Sequence, residues 1–157
     1  MGFYNDKIVP RLVTCACGTK PILKRREKVV PQAQGNVLEI GMGAGHNLPY
    51  YDPQRVQSIV GIDPCQTSWR LAASRAAQVG VPLDFVEGSA EKMPLPAAQF
   101  DTVLMTYSLC TIPDAHAALA EIGRVLKPGG SLVFCEHGQA PDPGVASWQE
   151  RINPLWR

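Results

Sequence analysis

The chain has 157 residues, and its 15 basic and 14 acidic side chains leave a formal net charge of only +1. Such a balance provides no broad positive field for nucleic-acid phosphates, so we expect no nucleic-acid partner. Hydrophobic residues make up 45% of the chain, enough for one packed domain. No apolar run reaches the ~18 residues of a membrane span, and no signal-peptide pattern opens the chain, so we expect a cytoplasmic protein.

Residues 1–35 are predicted to form a helical cap on a single domain that spans 1–157. Apolar residues recur at helical intervals over 3–16, and a second helical stretch opens with Pro21. This second stretch carries four basic residues: Lys24, Arg25, Arg26 and Lys28. Such a cluster is typical of a solvated helix face, and the alternative is attraction to an anionic substrate or membrane surface. Weak peripheral membrane contact therefore stays open.

Residues 36–137 alternate short apolar runs with longer helical patterns. The apolar runs are 37–40, 58–62, 83–86, 102–105 and 132–135. Continuous apolar runs are typical of buried parallel strands, so the pattern predicts a doubly wound, mainly parallel α/β sheet of about five strands. Helices are predicted over 65–79 and 114–126. The second should end where Lys127 faces its negative pole and Pro128 cannot continue it.

The strongest local signal is a glycine loop directly after the first predicted strand. Gly41, Gly43 and Gly45 occupy every second position, and a backbone without Cβ atoms can turn sharply and approach a ligand. A dinucleotide-binding loop would need its third glycine at position 46, which is His46, so the NAD fingerprint is not met. The alternative interpretation is a tight strand-to-helix turn that binds no ligand.

Two further polar turns follow neighbouring predicted strands. Asp63 ends the second strand, where a carboxylate can accept both ribose hydroxyls of a nucleoside lying across the strand ends. Its alternative role is as the N-cap of the helix that begins at Pro64. The turn at 86–91 has a hydroxyl and backbone amides suited to an adenine edge, although Ser89 could instead cap a helix.

With the Thr106-Tyr107-Ser108 turn and the Leu-Lys-Pro-Gly-Gly segment at 126–130, these motifs make residues 36–137 resemble the class I S-adenosylmethionine-dependent methyltransferases. The resemblance implies S-adenosylmethionine as cofactor and a Rossmann-like strand order of 3-2-1-4-5. It places the methionine moiety at Glu39 and the glycine loop, the ribose at Asp63 and the adenine at the 86–91 turn. The implied cofactor-binding residues are Glu39, Gly41, Gly43, Gly45, His46, Asn47, Asp63, Pro64, Ser89, Ala90, Thr106 and Tyr107.

A narrower resemblance involves segments outside the glycine loop, among them Asn47-Leu48-Pro49-Tyr50-Tyr51 and Glu136-His137. They are similar to a methyltransferase-like group that includes thiol, phospholipid and quinone methyltransferases. This implies methyl transfer to a small or lipophilic acceptor of thiol, amine or quinone type. No catalytic residue is obligatory for methyl transfer, but His137, Tyr107 and His46 are candidates for helping to deprotonate an acceptor.

Five cysteines, an odd number without paired spacings, favour a reducing compartment over a disulfide framework. Cys15 and Cys17 put two sulfurs close together, but structural zinc prefers two to four intervening residues, and we predict no metal site. Two other functions stay open. One is a metalloid methyltransferase that uses Cys15, Cys17, Cys110 or Cys135 as thiolate ligands. The other is a protein that binds S-adenosylmethionine without a competent acceptor site.

Residues 138–157 form the C-terminal segment. The resembled family continues into an antiparallel hairpin beside the fifth strand, and we expect residues 138–157 not to form one. We therefore expect an open apolar edge at 132–134, a feature that recruits another strand. Either a second copy of the chain, in a homodimer, or the folded-back segment anchored by Trp148 and Trp156 should cover it.

Overall fold

The fold is known from a computed structural model that describes residues 17–138 and 140–152. Its centre is a five-stranded sheet in the order β3-β2-β1-β4-β5, with every neighbouring pair parallel. The strands are β1 Gly35–Ile40, β2 Val56–Asp63, β3 Leu83–Glu87, β4 Phe100–Thr106 and β5 Leu126–Cys135. The predicted doubly wound sheet and its 3-2-1-4-5 order are confirmed.

Helices flank this sheet. They are α1 Lys20–Val29, α2 Gln66–Leu71, α3 Ala73–Ala76, α4 Ala115–Val125 and α5 Pro143–Ile152. Helix α1 is the second of the two predicted cap helices, and Pro21 lies in its first turn, where a missing N–H removes no helical hydrogen bond. The first cap helix, predicted over 3–16, lies outside the described residues. No described helix is both long enough and apolar enough to cross a membrane.

Both faces of the central strands are buried, which explains their continuous apolar runs. Along β1, Leu38 and Ile40 pack into a cluster with α4, while Val37 packs into a second cluster on the opposite face. Successive strand residues point to opposite faces, so one strand contributes to both clusters. Leu104 and Val103 repeat this alternation on β4 and are fully buried. This rigid double layer holds the carboxyl ends of the strands in place.

The helix predicted over 65–79 is wrong as one element, because two short helices, α2 and α3, replace it. They meet at Ala72, which is fully buried and whose N–H bonds to the carbonyl three residues earlier, at Trp69. A Cβ built on Gly45 would lie only 2.9 Å from the Ala72 Cβ. Ala72 therefore packs tightly against the glycine loop at the point where a three-residue turn interrupts the helix.

The expected placement of Lys127 at the end of α4 is also wrong. Leu126 is extended and pairs with Phe100, so β5 begins as soon as α4 ends. A shift in register follows, and it places Lys127 beside Asp101, with Nζ 2.8 Å from both carboxylate oxygens. The hydrogen bond from this ammonium group is the largest of the effects that lower the pKa of Asp101 below its usual value. Lys127 therefore pairs with Asp101 on the neighbouring strand β4 and not with the carboxyl end of α4.

The outer edge of β5 is open within the described part of the chain. Phe134 on this strand is 61% exposed, and Trp148 on α5 is also 61% exposed. The expected cover with Trp148 as an apolar anchor is therefore wrong. The segment before α5 is tied instead to its own helix, since the Ala140 N–H donates to Gln149 Oε1 at 2.8 Å. Trp156 lies outside the described residues, and the homodimer stays a prediction.

Candidate active site

A cleft opens where the carboxyl ends of β1, β2 and β4 meet, the edge at which parallel α/β sheets bind ligands. It is lined by Cys17, Arg26, Gly41, Met42, Gly43, Ala44, His46, Asp63, Ser68, Thr106, Tyr107, Ser108 and Thr111. A second hollow, about 340 Å³, lies at the opposite end of the strands beside Asp101 and Lys127. That hollow contains none of the predicted site residues, so the cleft is the better candidate.

Glycine occupies the three loop positions for different structural reasons. All have left-handed φ angles, +67° at Gly41, +51° at Gly43 and +70° at Gly45. A Cβ on Gly41 would collide with the Ser108 side chain, and one on Gly45 would lie 2.7 Å from Leu48 Cδ1. The nearest atoms to a Cβ on Gly43 are 3.8 and 4.0 Å away. Packing therefore requires Gly41 and Gly45, whereas Gly43 keeps space free in the cleft.

Asp63 lies at the end of β2 and is 9% exposed. Its Oδ2 accepts the Gly43 N–H at 2.9 Å and its Oδ1 accepts the Cys65 N–H at 2.8 Å. Burial raises the pKa of this carboxyl, and the two backbone hydrogen bonds oppose the rise. Each carboxylate oxygen has a second lone pair, so a diol can still donate to both. Asp63 thus supports the turn into α2 and offers the acceptors that a ribose needs.

Glu39 lies behind the wall of the cleft, 1% exposed, in a buried polar network. Its Oε1 accepts from Asn47 Nδ2 at 2.9 Å, and its Oε2 accepts from the Tyr51 hydroxyl at 2.7 Å. Asn47 Nδ2 also donates to Thr106 Oγ1 at 2.9 Å. Burial raises the pKa of Glu39 to about 7. Of these residues only Thr106 lines the cleft, and the cofactor contacts predicted for Glu39 and Asn47 stay predictions.

Arg26 joins this network, although the sequence interpretation assigned it to a solvated helix face. Its side chain is buried, with 4% exposure, while Arg25 beside it is exposed. The guanidinium Nη1 donates to Asn47 Oδ1 at 2.6 Å and to Thr106 Oγ1 at 2.5 Å. A signal was available, because the fully buried Val30 lies four residues along the helix, on the same face.

Tyr107 forms the wall of the cleft at the end of β4. Its φ of +56° is unusual for a residue with a Cβ, and such strain is concentrated at functional sites. The ring lies 4.7 Å from the His137 ring, centroid to centroid, and its hydroxyl accepts from Cys135 Sγ at 3.4 Å. Burial, aided by Cys135, raises the Tyr107 pKa to about 12. The phenol therefore stays protonated near neutral pH, which suits a donor better than a base.

Not every predicted site residue lies at the cleft. Pro64 and Ser89 are exposed, and Ala90 packs in the core cluster that contains Leu38 and Ile40. Ser89 bonds within its own turn, to Glu91, and no helix follows it. The adenine contacts expected from this turn stay a prediction. His46 does line the cleft, and His137 is exposed next to Tyr107.

Within residues 17–138 and 140–152, no three or more His, Cys, Asp or Glu side chains come together as a metal site would require. Cys17 lines the cleft, while Cys15 precedes the described part of the chain. The thiolate alternative thus gains no support from the described cysteines.

A parallel 3-2-1-4-5 sheet with a glycine loop after β1 and a carboxylate after β2 is the arrangement with which doubly wound α/β folds bind a nucleoside at the carboxyl ends of the strands. Residues 38–134 match the family described as Methyltransferase domain, and the chain belongs to this family. Membership implies S-adenosylmethionine as the cofactor. The residues fit it, because Gly43 leaves open space beside the acceptor oxygens of Asp63.

Curated relatives and solved structures agree with this assignment. The uncharacterized methyltransferase YcgJ of Bacillus subtilis is 33% identical over 125 residues, which are 79% of this chain and 49% of YcgJ. Its solved structure gives a TM-score of 0.68 at 32% identity, over 85% of this chain and 57% of that one. Human thiol S-methyltransferase TMT1B is 33% identical over 144 residues, 85% of this chain and 59% of the relative. The chain thus spans about half the length of these relatives.

The fold alone extends further. The structure of a SAM-dependent methyltransferase from Aquifex aeolicus is 22% identical, with a TM-score of 0.66 over 94% of this chain and 86% of that one.

The glycine loop yields a paired prediction. Alanine at either Gly41 or Gly43 should cost about 1 kcal/mol of stability for its left-handed backbone. Gly41→Ala should cost a further ~1–3 kcal/mol through collision with Ser108. Gly43→Ala should instead weaken binding of S-adenosylhomocysteine about tenfold, because its methyl group enters the open cleft. Denaturant unfolding and calorimetry measure the two quantities, and equal losses of stability in both variants would contradict the packing argument.

Proposed function

We propose that this chain transfers a methyl group from S-adenosylmethionine to a small thiol. The observation that carries the proposal is its 33% identity to proteins named thiol S-methyltransferase TMT1B, from human and rat. The cleft supports methyl transfer, since it places the Asp63 carboxylate, an open Gly43 and the Tyr107 wall around one space.

For methyl transfer to a thiol, the protein must orient the two reactants and remove one proton from the acceptor. Bound S-adenosylmethionine supplies an electrophilic methyl group on a sulfonium. An acceptor sulfur forms a bond to this carbon as the cofactor's own carbon–sulfur bond breaks, and the departing thioether needs no proton. The thiolate is the reactive form of the acceptor, so its proton must leave. In-line alignment of the two reactants in a cleft then lowers the barrier substantially.

We assign the removal of the thiol proton to His137. Its exposed ring packs on Tyr107, so the imidazole lies between the cleft wall and solvent, where a proton can be passed on. Tyr107, whose raised pKa keeps its hydroxyl protonated, would orient the acceptor sulfur as a hydrogen-bond donor. His46 also lines the cleft and remains the other candidate base.

The role of His137 is tested by substitution. His137→Ala should lower kcat for an alkyl thiol about 100-fold at neutral pH while leaving cofactor affinity unchanged. Raising the pH toward the thiol's own pKa should restore most of the rate, because the acceptor then ionises without help. His116→Ala, a change of an exposed histidine on α4 outside the cleft lining, is the matched control. An unchanged rate in the His137 variant would move the role to His46.

The acceptor class is tested with a panel of small thiols, amines and quinols. Formation of S-methyl product and S-adenosylhomocysteine, followed by mass spectrometry, should occur with thiols only. Turnover of amines or quinols but not thiols would contradict the proposal. Cofactor binding without turnover on any acceptor would favour the binding-protein alternative. A loss of thiol methylation on single replacement of Cys17, Cys110 or Cys135 by serine would favour the thiolate alternative.

A further inference from the structure

Arg26 is a buried cation that lacks a carboxylate partner among the described residues. Neither ion pair of residues 17–138 and 140–152 includes it. Its Nη1 hydrogen bonds go to the neutral side chains of Asn47 and Thr106, and its buried Nε has no hydrogen-bond partner. Burying a charge without a paired anion costs several kcal/mol, so such a group points to an anion that binds there.

The side chain nearest to a counterion, Glu39, does not fill that role. Asn47 stands between them, accepting from Arg26 through Oδ1 and donating to Glu39 through Nδ2. Both oxygens of Glu39 already have protein donors, Asn47 and Tyr51. The network therefore orients Arg26 without neutralising it. The face of Tyr107, 5.2 Å from the guanidinium carbon, fixes the group from another side.

Arg26 lines the same cleft as Asp63. A ligand with a diol at Asp63 and an anionic group at its other end would meet both residues. S-adenosylmethionine is such a ligand, since its adenosine carries the ribose and its amino-acid end carries a carboxylate. We propose that Arg26, held by Asn47 and Thr106, binds the amino-acid carboxylate of the cofactor. The inference depends on S-adenosylmethionine as the cofactor and is independent of the thiol acceptor.

An acceptor that carries its own carboxylate is the other source of the same chemistry, so the test uses the cofactor product alone. S-adenosylhomocysteine is compared by calorimetry with S-adenosyl-3-thiopropylamine, which lacks only the carboxylate. The wild-type chain should bind the decarboxylated compound about 10- to 100-fold more weakly, the usual range for a charge-assisted hydrogen bond. Equal affinities would overturn the proposal and assign the guanidinium to an acceptor or to the fold.

Substitution then locates the discrimination. Arg26→Gln should bind the two compounds with nearly equal affinity, because the carboxylate gains little from a neutral partner. Arg25→Gln changes the exposed neighbour on the same helix and should keep the wild-type ratio. Arg26→Lys, which retains the charge but not the fork geometry, should give an intermediate ratio and covers the case that the glutamine variant does not fold.

The outcomes distinguish the role of Arg26 from the assignment of S-adenosylmethionine as the cofactor. A wild-type ratio in Arg26→Gln or Arg26→Lys would overturn the role of Arg26 while leaving the cofactor assignment intact. Failure of the wild-type chain to bind either adenosyl compound would overturn both. Absence of thiol turnover affects neither, since every measurement is made without an acceptor.

Discussion

Replacement of Asp63 by alanine is expected to weaken S-adenosylhomocysteine binding by about 2–4 kcal/mol at neutral pH. The carboxylate is nearly buried and each oxygen is already oriented by one backbone donor, Gly43 for Oδ2 and Cys65 for Oδ1. A ribose that donates to both oxygens therefore meets acceptors fixed in place. The variant loses these two charge-assisted hydrogen bonds, and it also leaves the two N–H groups without their acceptor.

The measurement must distinguish lost ligand contacts from a disturbed loop. Asp63→Asn retains acceptor capacity and a similar shape but no charge, so its loss of affinity should be smaller than that of Asp63→Ala. Asp84→Ala, a change of an exposed carboxylate on β3, is the matched control and should bind normally. Unchanged affinity in Asp63→Ala would show that the ribose lies elsewhere.

The pH dependence of binding adds a second check on Asp63. Burial raises the pKa of this carboxyl, and ribose binding favours the charged form. S-adenosylhomocysteine affinity should therefore be complete above that pKa and fall as the pH is lowered through it. The Asp63→Asn variant has no such proton to gain and should show a flatter profile. Similar acid profiles in the two proteins would assign the titration to another group.

The parts of the site that the sequence could predict are local. Gly41 and Asp63 come directly after apolar runs, Gly43 lies two residues beyond Gly41, and a parallel sheet brings its carboxyl strand ends to one edge. The strand order itself came from the family resemblance. These features need only short-range patterns and one topological rule, and in the structure all three residues line the cleft.

What the sequence could not show depends on contacts between distant residues. Arg26 meets Thr106 across 80 positions, and Glu39 meets Tyr51 only because a short helical turn returns the chain. The one local hint that separates Arg26 from its exposed basic neighbours is the apolar Val30 four residues further on, and this spacing can be used only once the helix boundaries are known. The break in the helix at Ala72 likewise coincides with close packing against Gly45, a residue distant in the chain.

The second large effect concerns Glu39 and the stability of the fold. Burial raises the pKa of this carboxyl from 4.5 to about 7, against the opposing effects of Tyr51, Asn47 and the charge of Arg26. Tyr51 itself stays protonated over this range, because burial and the neighbouring Glu39 hold its own pKa well above its usual value. The folded chain thus keeps a proton on Glu39 at pH values where the unfolded chain has released it.

The sign of the linkage follows from this difference. Where the folded state binds more protons, stability falls as pH rises, so the loss begins near pH 4.5 and is complete above about pH 7. A shift of this size corresponds to about 3 kcal/mol. Glu39→Gln keeps the shape of the protonated carboxyl and can still accept from Asn47 while donating to Tyr51. The stability of this variant should therefore not fall as the pH rises through this range.

Denaturant unfolding of wild type and Glu39→Gln between pH 5 and pH 8 measures the effect directly. The two proteins should have similar stability near pH 5, and the variant should be more stable by about 3 kcal/mol near pH 8. Glu27→Gln, which changes an exposed carboxyl on α1, should follow the wild-type curve. Parallel curves for wild type and Glu39→Gln would mean that Arg26 and the two hydrogen bonds stabilise the carboxylate fully. Glu39 would then be ionised in the folded chain, and Arg26 would already have its anion.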